Sequence, residues 1–361
     1  MTPIFRINML PAGCGDCLWI EYGDQQHPSR LLIDGGVSGT YKTIRRRLRD
    51  LSADQRHFEL LVVTHIDADH IEGILELLGD PEIKVTFDDV WFNGWRHLPD
   101  SPFEDFGPIQ GEKLTTHLDK VELPWNELFH RRAVSVTETG SLPSHTLPGG
   151  MKLTLFSPSV QQLVVLRPVW IRECKKAGLD PRHTPSEPSP VELPPGFEVM
   201  GPPDIDVLAN SPFDSDNSEA NGSSIAILAE FDDRRMLLAG DAYPDVILES
   251  ILRLIGPGEN DRLQLDAFKV PHHGSKANIN QQILAKVDCN RYLFSTNGAR
   301  FKHPDKEAVA RVIKFGGREP ELVFNYRTDF NLVWEDRRLM ENHGYSVSYP
   351  RAVDAGQTIE L

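Results

Sequence analysis

The stretch from Leu60 to Leu78, LLVVTHIDADHIEGILELL, constrains the fold of this chain more than any other. Leu60 to Val63 form an unbroken apolar run that predicts a buried strand, and from Asp69 onward Ile71, Ile74, Leu75 and Leu78 recur at helical spacing. The expected unit is strand, tight loop, helix. Between the two elements lie His65, Asp67, Asp69 and His70, four potential metal ligands in a short loop that a strand and a helix would hold still. Asp69 stands near the expected helix start, where free amides and the helix dipole favour a carboxylate. Capping explains Asp69 alone and leaves the other three unexplained, so the loop is read as a metal site.

A chain of 361 residues with 40% hydrophobic content can build one large domain or two ordinary ones. No run approaches the roughly 18 apolar residues of a membrane helix, and MTPIFRINML lacks a basic segment followed by an apolar one. The expectation is a protein with no membrane association. Cys14, Cys17, Cys174 and Cys289 are too scattered for a disulfide framework and fit a reducing cytoplasm. Cys14 and Cys17 form a C-x-x-C without a second pair, which reads as structural thiols. The net charge of -15 argues against holding long nucleic acid by phosphate neutralisation alone. One local exception is Tyr41 to Leu51, where Lys42, Arg45, Arg46, Arg47 and Arg49 share a helix with Ile44, Leu48 and Leu51. A solvated helix face is the preferred reading there, and a phosphate-binding patch the alternative.

Taken in order, Ile4 to Leu10, Leu18 to Tyr22 and Leu31 to Ile33 read as strands, the third ending in Asp34-Gly35-Gly36. Asp34 is either a support for the metal loop or a turn former. Val90 to Phe92 and Met151 to Phe156 read as further strands, and Val160 to Ala177 as a helix. Eight prolines between Pro181 and Pro203, then five acids without a base from Asp204 to Glu219, read as an irregular, partly mobile insertion. A hairpin around Asp232-Asp233 leads to Gly240-Asp241, and a strand from Leu265 to Val270 leads to PHHGS at 271 to 275. Arg291 to Ser295 is another strand, followed by Thr296-Asn297-Gly298, His303-Pro304 and a helix toward Ile313. Leu322 to Phe324 is expected at a sheet edge, and the aromatic tail from 326 to 361 receives no assignment.

His65, Asp67, Asp69, His70, Asp241, His272 and His273 all fall just beyond expected strand ends, so one sheet edge can gather them. THxDxDH, GDA and PHHGS in this order resemble the metallo-β-lactamase fold superfamily, whose usual first signature is THxHxDH. GCGD at 13 to 16, LLIDGG at 31 to 36, NGSSIAIL at 221 to 228, LLAGDA at 237 to 242, KVPHHGS at 269 to 275 and STNG with the later HP look like its soluble ComEC-type subgroup. The resemblance spans about residues 4 to 310, apart from two insertions. It implies an α/β fold, the αββα sandwich of two mixed β-sheets flanked by helices, as a single domain over 1–361 with insertions at about 93–150 and 157–220 that wall the cleft. It also implies two divalent metal ions, with His65 and Asp67 on one, Asp69, His70 and His272 on the second, and Asp241 bridging. Such ions, typically about 3.5–4 Å apart, share a water, lower its pKa and stabilise charge on the attacked group, with Asp69 orienting that water.

Two positions depart from the superfamily pattern. Asp67 stands where a second histidine is commoner, and Asn221 replaces another, offering a neutral oxygen ligand. Oxygen in place of imidazole makes Mn²⁺ a competitor of Zn²⁺. His273 is the alternative to His272 as ligand, or contacts substrate together with Ser275; His303 resembles a histidine near the family's active site, and a turn residue is its plainer reading. The resemblance implies a metal-dependent hydrolase, in the first place a phosphodiesterase or nuclease acting on DNA or a nucleotide. Hydrolysis of a lactone, thioester or β-lactam is the second reading, since one fold hosts many chemistries, and a non-catalytic binding role the third. The oligomeric state is left open.

Overall fold

The computed structural model describes residues 3–99, 109–176, 202–256, 258–352 and 355–361. Its framework is two mixed sheets. One runs in the order Gln357–Glu360, Pro3–Met9, Leu18–Asp24, His27–Ile33, Leu60–Val62, Val90–Trp91, with antiparallel pairing up to His27–Ile33 and parallel pairing beyond it. The other runs Ser346–Ser348, Glu321–Phe324, Arg291–Phe294, Ala267–Lys269, Arg234–Leu238, Ala226–Phe231, Lys152–Ser157, Ser144–Thr146; its first four pairings are parallel and the rest antiparallel.

Strand alternation explains why the apolar runs are continuous. Leu31, Ile33, Leu60 and Val62 enter one buried cluster with Leu153, Leu155 and Leu238 of the second sheet. Their neighbours Leu32, Leu61 and Val63 belong to a second cluster with Ile44, Leu48, Ile71 and Ile74. Both faces of each central strand are therefore covered, the condition under which a parallel strand is apolar throughout. The helices Tyr41–Asp50 and Ala68–Gly79 cover the first sheet. Pro244–Ile255 and Lys306–Phe315 pack into the cluster of the second, and Ser250 Oγ donates to Phe156 O at 2.6 Å. This is the αββα sandwich, two mixed sheets flanked by helices.

Three elements differ from the sequence expectation. Glu321–Phe324 is interior, because Ser346–Ser348 pairs beside it in parallel. The tail from 326 to 361 is structural: Trp334 is fully buried, Arg337–His343 is a helix, and Gln357–Glu360 pairs antiparallel with the first strand, covering an edge that would otherwise be open. The strand expected at Leu265–Val270 is two short ones, Leu263–Leu265 in a small sheet with Val287–Cys289 and Ala267–Lys269 in the main sheet. The hairpin at Asp232-Asp233 is present, with both residues left-handed at φ 48° and 60°.

Within the first insertion Trp125 is buried on the outer cluster and Ile109–Val121 is helical. In the second, Val160–Lys176 is helical and buries Leu163, Leu166 and Trp170 in the same cluster. The proline-rich stretch lies almost wholly outside the described residues, as does the Cys174 side chain, whereas Asp204 to Glu219 is described. There Asp204 caps the short helix Ile205–Ala209 by accepting from Val207 N at 3.0 Å.

Candidate metal centre

Asp34, His65 and Asp241 each follow the end of a strand, at neighbouring positions along one edge of the sandwich. The helix Ala68–Gly79 begins at once, with Asp67 at its N-cap and Asp69 in its first turn. That junction turns Asp69 and His70 inward, where both are buried. The approach of the GCGD turn is equally tight: a Cβ on Gly15 would lie 1.6 Å from Asp69 O, so only glycine lets that loop close on the helix.

Asp241 is the point on which the rings converge. Its Oδ2 lies 3.4 Å from His70 Nε2, 3.6 Å from His273 Nε2, and 3.8 Å from both His65 Nε2 and His272 Nε2. His65 Nε2 is also 3.6 Å from Asp67 Oδ2, and His273 Nε2 is 3.7 Å from Asp69 Oδ2 and 3.2 Å from His70 Nε2. These spacings suit atoms that share an ion rather than a proton. His65 Nε2, Asp241 Oδ1 and Asn221 Oδ1 are among the polar atoms buried here without a hydrogen-bond partner. An orphaned buried acceptor is costly unless something else satisfies it, so the donor set fits a metal. His65, His70 and Asp241 form one triplet within ligating reach of one another, and Asp69, His70 and His273 form another.

The outward nitrogens are fixed. His70 Nδ1 donates to Asp34 Oδ2 at 2.8 Å, and His65 Nδ1 donates at 3.0 Å to Thr64 Oγ1, which itself donates to Asp34 Oδ2 at 2.8 Å. One buried carboxylate thus orients two rings with Nε2 toward Asp241. His273 Nδ1 donates to Ser295 O at 2.9 Å, which turns its Nε2 inward as well.

The two adjacent histidines do different things. His273 is fully buried within the cluster. His272 leans toward Asp216 and Asn278, with Nδ1 3.2 Å from Asp216 Oδ2 and 3.0 Å from Asn278 Oδ1. Both residues are left-handed, at φ 46° and 54°, in a turn closed by His272 N to Gly240 O and Ser275 N to His272 O. The Ser275 hydroxyl accepts from Ala277 N at 3.2 Å and so serves the turn. Asn221 donates its amide to Asp216 Oδ2 at 2.8 Å, which leaves Oδ1 as the orphaned atom. His303 stands one ring further out, 5.3 Å from His272 edge-on.

Electrostatics follow from this crowding. Burial opposes charge on Asp241, yet His70, His273 and His272 hold its carboxyl well below the usual range. Burial likewise opposes protonation of His70, and Asp241 and Asp34 override it, raising the imidazole well above its usual value. For His272, Asp241 and Asp216 outweigh burial and push the ring up to about 9.

Asp16, Lys269, Asp216 and Asn278 support the centre without having been singled out from the sequence. Asp16 and Lys269 form a fully buried ion pair at 2.7 Å, and Asp16 Oδ1 lies 3.4 Å from His273 Nδ1. Their signal was the charge at each end of motifs already noted, GCGD and KVPHHGS. Asp216 was hidden in an acidic run that reads as solvated. The basic helix is partly neutralised: Arg45 pairs with Asp80 and Glu82 and Arg49 with Glu82, Arg47 stacks on Trp19, and Lys42 and Arg46 are exposed. Cys14 and Cys17 are buried free thiols, and burial pushes Cys14 up to about 11. The first insertion reaches the ligand loop, since Gly111 packs against Ile66, and Gly111 also meets Trp170 of the second.

No family model and no curated protein matches the chain. Among solved structures it is similar to the metallo-β-lactamase fold protein YhfI from Bacillus subtilis, at 10% identity and a TM-score of 0.44 over the whole of both chains. It is also similar to the short form of human tRNase Z, at 10% identity and 0.37 over 98% of each chain. A third is the metallo-β-lactamase MIM-1 from Novosphingobium pentaromativorans, at 14% identity and 0.32 over 86% of this chain and 89% of that one. Among the described residues no helix is long and apolar enough to cross a membrane.

Proposed function

We propose that the protein is a metal-dependent hydrolase that cleaves a phosphodiester of nucleic acid or a nucleotide. The observation that carries this reading is the convergence of four imidazole Nε2 atoms on the buried Asp241 carboxylate, with His65 Nε2 and Asp241 Oδ1 orphaned. His65 and Asp67 would hold one divalent ion, with the Asn221 oxygen and His272 at its margin. Asp69, His70 and His273 would hold a second, and Asp241 would serve both. His273 takes the place that the motif resemblance gave to His272, because its ring lies inside the cluster while Asp216 and Asn278 engage the other.

The mixed imidazole and carboxylate set suits zinc and manganese alike. Such ions supply Lewis-acid stabilisation of the charge that develops on the attacked group. The chain's own residues do the rest. Asp34, directly and through Thr64, holds the Nδ1 atoms of His70 and His65, and Ser295 O holds that of His273, so that each Nε2 faces the Asp241 carboxylate, while Asp216 engages His272 Nδ1.

The test is hydrolysis of single-stranded DNA, duplex DNA, RNA, cyclic nucleotides, bis(4-nitrophenyl) phosphate and lactones by protein loaded with Mn²⁺ or Zn²⁺. Phosphodiester cleavage that disappears on chelation is the expected outcome. Turnover of a lactone alone would contradict it.

A further inference from the structure

The loop after strand Arg291–Phe294 carries Arg300, Phe301 and Lys302 directly before His303, a small cationic and aromatic outcrop on a chain of net charge -15. The loop is anchored at both ends. Asn297 N donates to Gly13 O at 2.8 Å, Lys302 N to Gly298 O at 2.9 Å, and Asp305 N to Gly274 O at 2.9 Å. Gly298, at φ +70°, packs so closely that a Cβ would lie 2.3 Å from the Phe330 ring.

Three rings lead outward from the centre along this loop. His272 has its Nε2 3.8 Å from Asp241 Oδ2, His303 stands 5.3 Å beyond it edge-on, and Phe301 stacks on His303 at 6.1 Å with planes 29° apart. Phe301 remains 44% exposed, and the Arg300 guanidinium lies 4.9 Å from its ring centroid. A single exposed phenylalanine needs no explanation. This one ends a line of rings that starts at the candidate metal centre, and the Arg300 cation lies over its ring, so that guanidinium and ring together offer the flat surface.

Building on the phosphodiesterase reading above, we infer that Phe301 and Arg300 form a platform for one nucleobase and its neighbouring phosphate, and that the substrate is a short single-stranded nucleic acid. A flat aromatic face accepts any base, but only one that is unstacked, which a strand offers and a duplex does not. Arginine beside the ring supplies the charge-assisted bond to phosphate. The limit on length comes from the rest of the surface: the chain carries a net charge of -15, and on the basic helix Arg45 and Arg49 are held in ion pairs, which leaves Lys42 and Arg46 as a short cationic patch rather than a long track for a backbone.

The test compares kcat/KM for hexathymidylate and for an abasic hexamer with the same phosphates, using metal-loaded wild type, Phe301→Ala, Phe301→Tyr and Arg300→Ala. Wild type should prefer the base-bearing strand, and Phe301→Ala should shrink that preference by about 5- to 150-fold, the worth of one base–aromatic stack. Phe301→Tyr should retain it, and Arg300→Ala should lower both substrates together. An unchanged preference in Phe301→Ala, with its bound-ion count equal to wild type, would overturn the platform. If wild type with bound ions cleaves neither hexamer nor bis(4-nitrophenyl) phosphate, the phosphodiesterase reading itself fails, whereas cleavage of the latter with an unaltered preference removes only the platform.

Discussion

In the first half of the chain four ligand-type residues, His65 to His70, arrive in one short run between a strand and a helix, whereas in the second half Asn221 comes from the short helix Glu219–Gly222, and Asp241 and the adjacent His272 and His273 from two turns that follow strands of the larger sheet. Their supports differ in the same way. The first group is oriented by one neighbour, Asp34, through His70 directly and through Thr64 to His65. The second draws on distant residues, with Asp16 beside His273 and Asp216 beside His272. A local motif therefore fixes its own geometry, while a distributed one depends on how the sheet brings its segments together.

The comparison is broken most severely at the residue where the two groups meet. Asp241→Ala removes a carboxylate that lies 3.4 to 3.8 Å from the Nε2 atoms of all four rings, and the expected outcome is loss of both ions and of all measurable hydrolysis with the far-ultraviolet circular dichroism retained. An active variant with full metal content would detach Asp241 from both groups.

Next in size is the buried Asp16 and Lys269 pair, which lies against His273 of the distributed group. Lys269→Met leaves Asp16 charged and unpaired in the core, which should cost about 3–5 kcal/mol in urea denaturation. The double variant Asp16→Leu with Lys269→Met should recover much of that loss. Equal destabilisation in single and double variants would contradict the pairing.

Asp34 sharpens the local side. Asp34→Asn keeps the shape but weakens acceptance from His70, and metal affinity measured by competitive titration should fall about 10- to 100-fold. The fold should survive, as the Leu31–Leu60 and Ile33–Val62 register does not involve that side chain.

The smallest effect concerns pH. His272 is raised from 6.5 to about 9 in the metal-free fold, so its contribution to stability is fully present below about 6.5 and is lost as pH rises through 9. Thermal unfolding of chelated protein should shift downward over that window, and Asp216→Asn should flatten the shift. Metal affinity should run the opposite way, rising with pH, because binding displaces a proton from His70.

These differences also explain what could be read in advance. The strand, loop and helix of Leu60 to Leu78 were legible because apolar period and polar interruption lie side by side, and the two-sheet core followed from runs such as Leu31 to Ile33. The choice between His272 and His273 was not, because consecutive left-handed residues give no periodic signal about which ring turns inward. Asp216 was illegible for another reason: five acids without a base from Asp204 to Glu219 read as solvent-facing until the fold shows that one of them meets a histidine. The tail from 326 to 361 was unassigned because its two strands are short and each pairs with a segment remote in sequence.

The most direct test of the two-ion centre is the number of ions bound per chain, measured by elemental analysis in wild type, His65→Ala, His273→Ala and His272→Ala. Two ions in wild type, one in each of the first two variants and more than one in His272→Ala are predicted. A full complement in His273→Ala together with loss in His272→Ala would contradict the assignment and return the second position to His272.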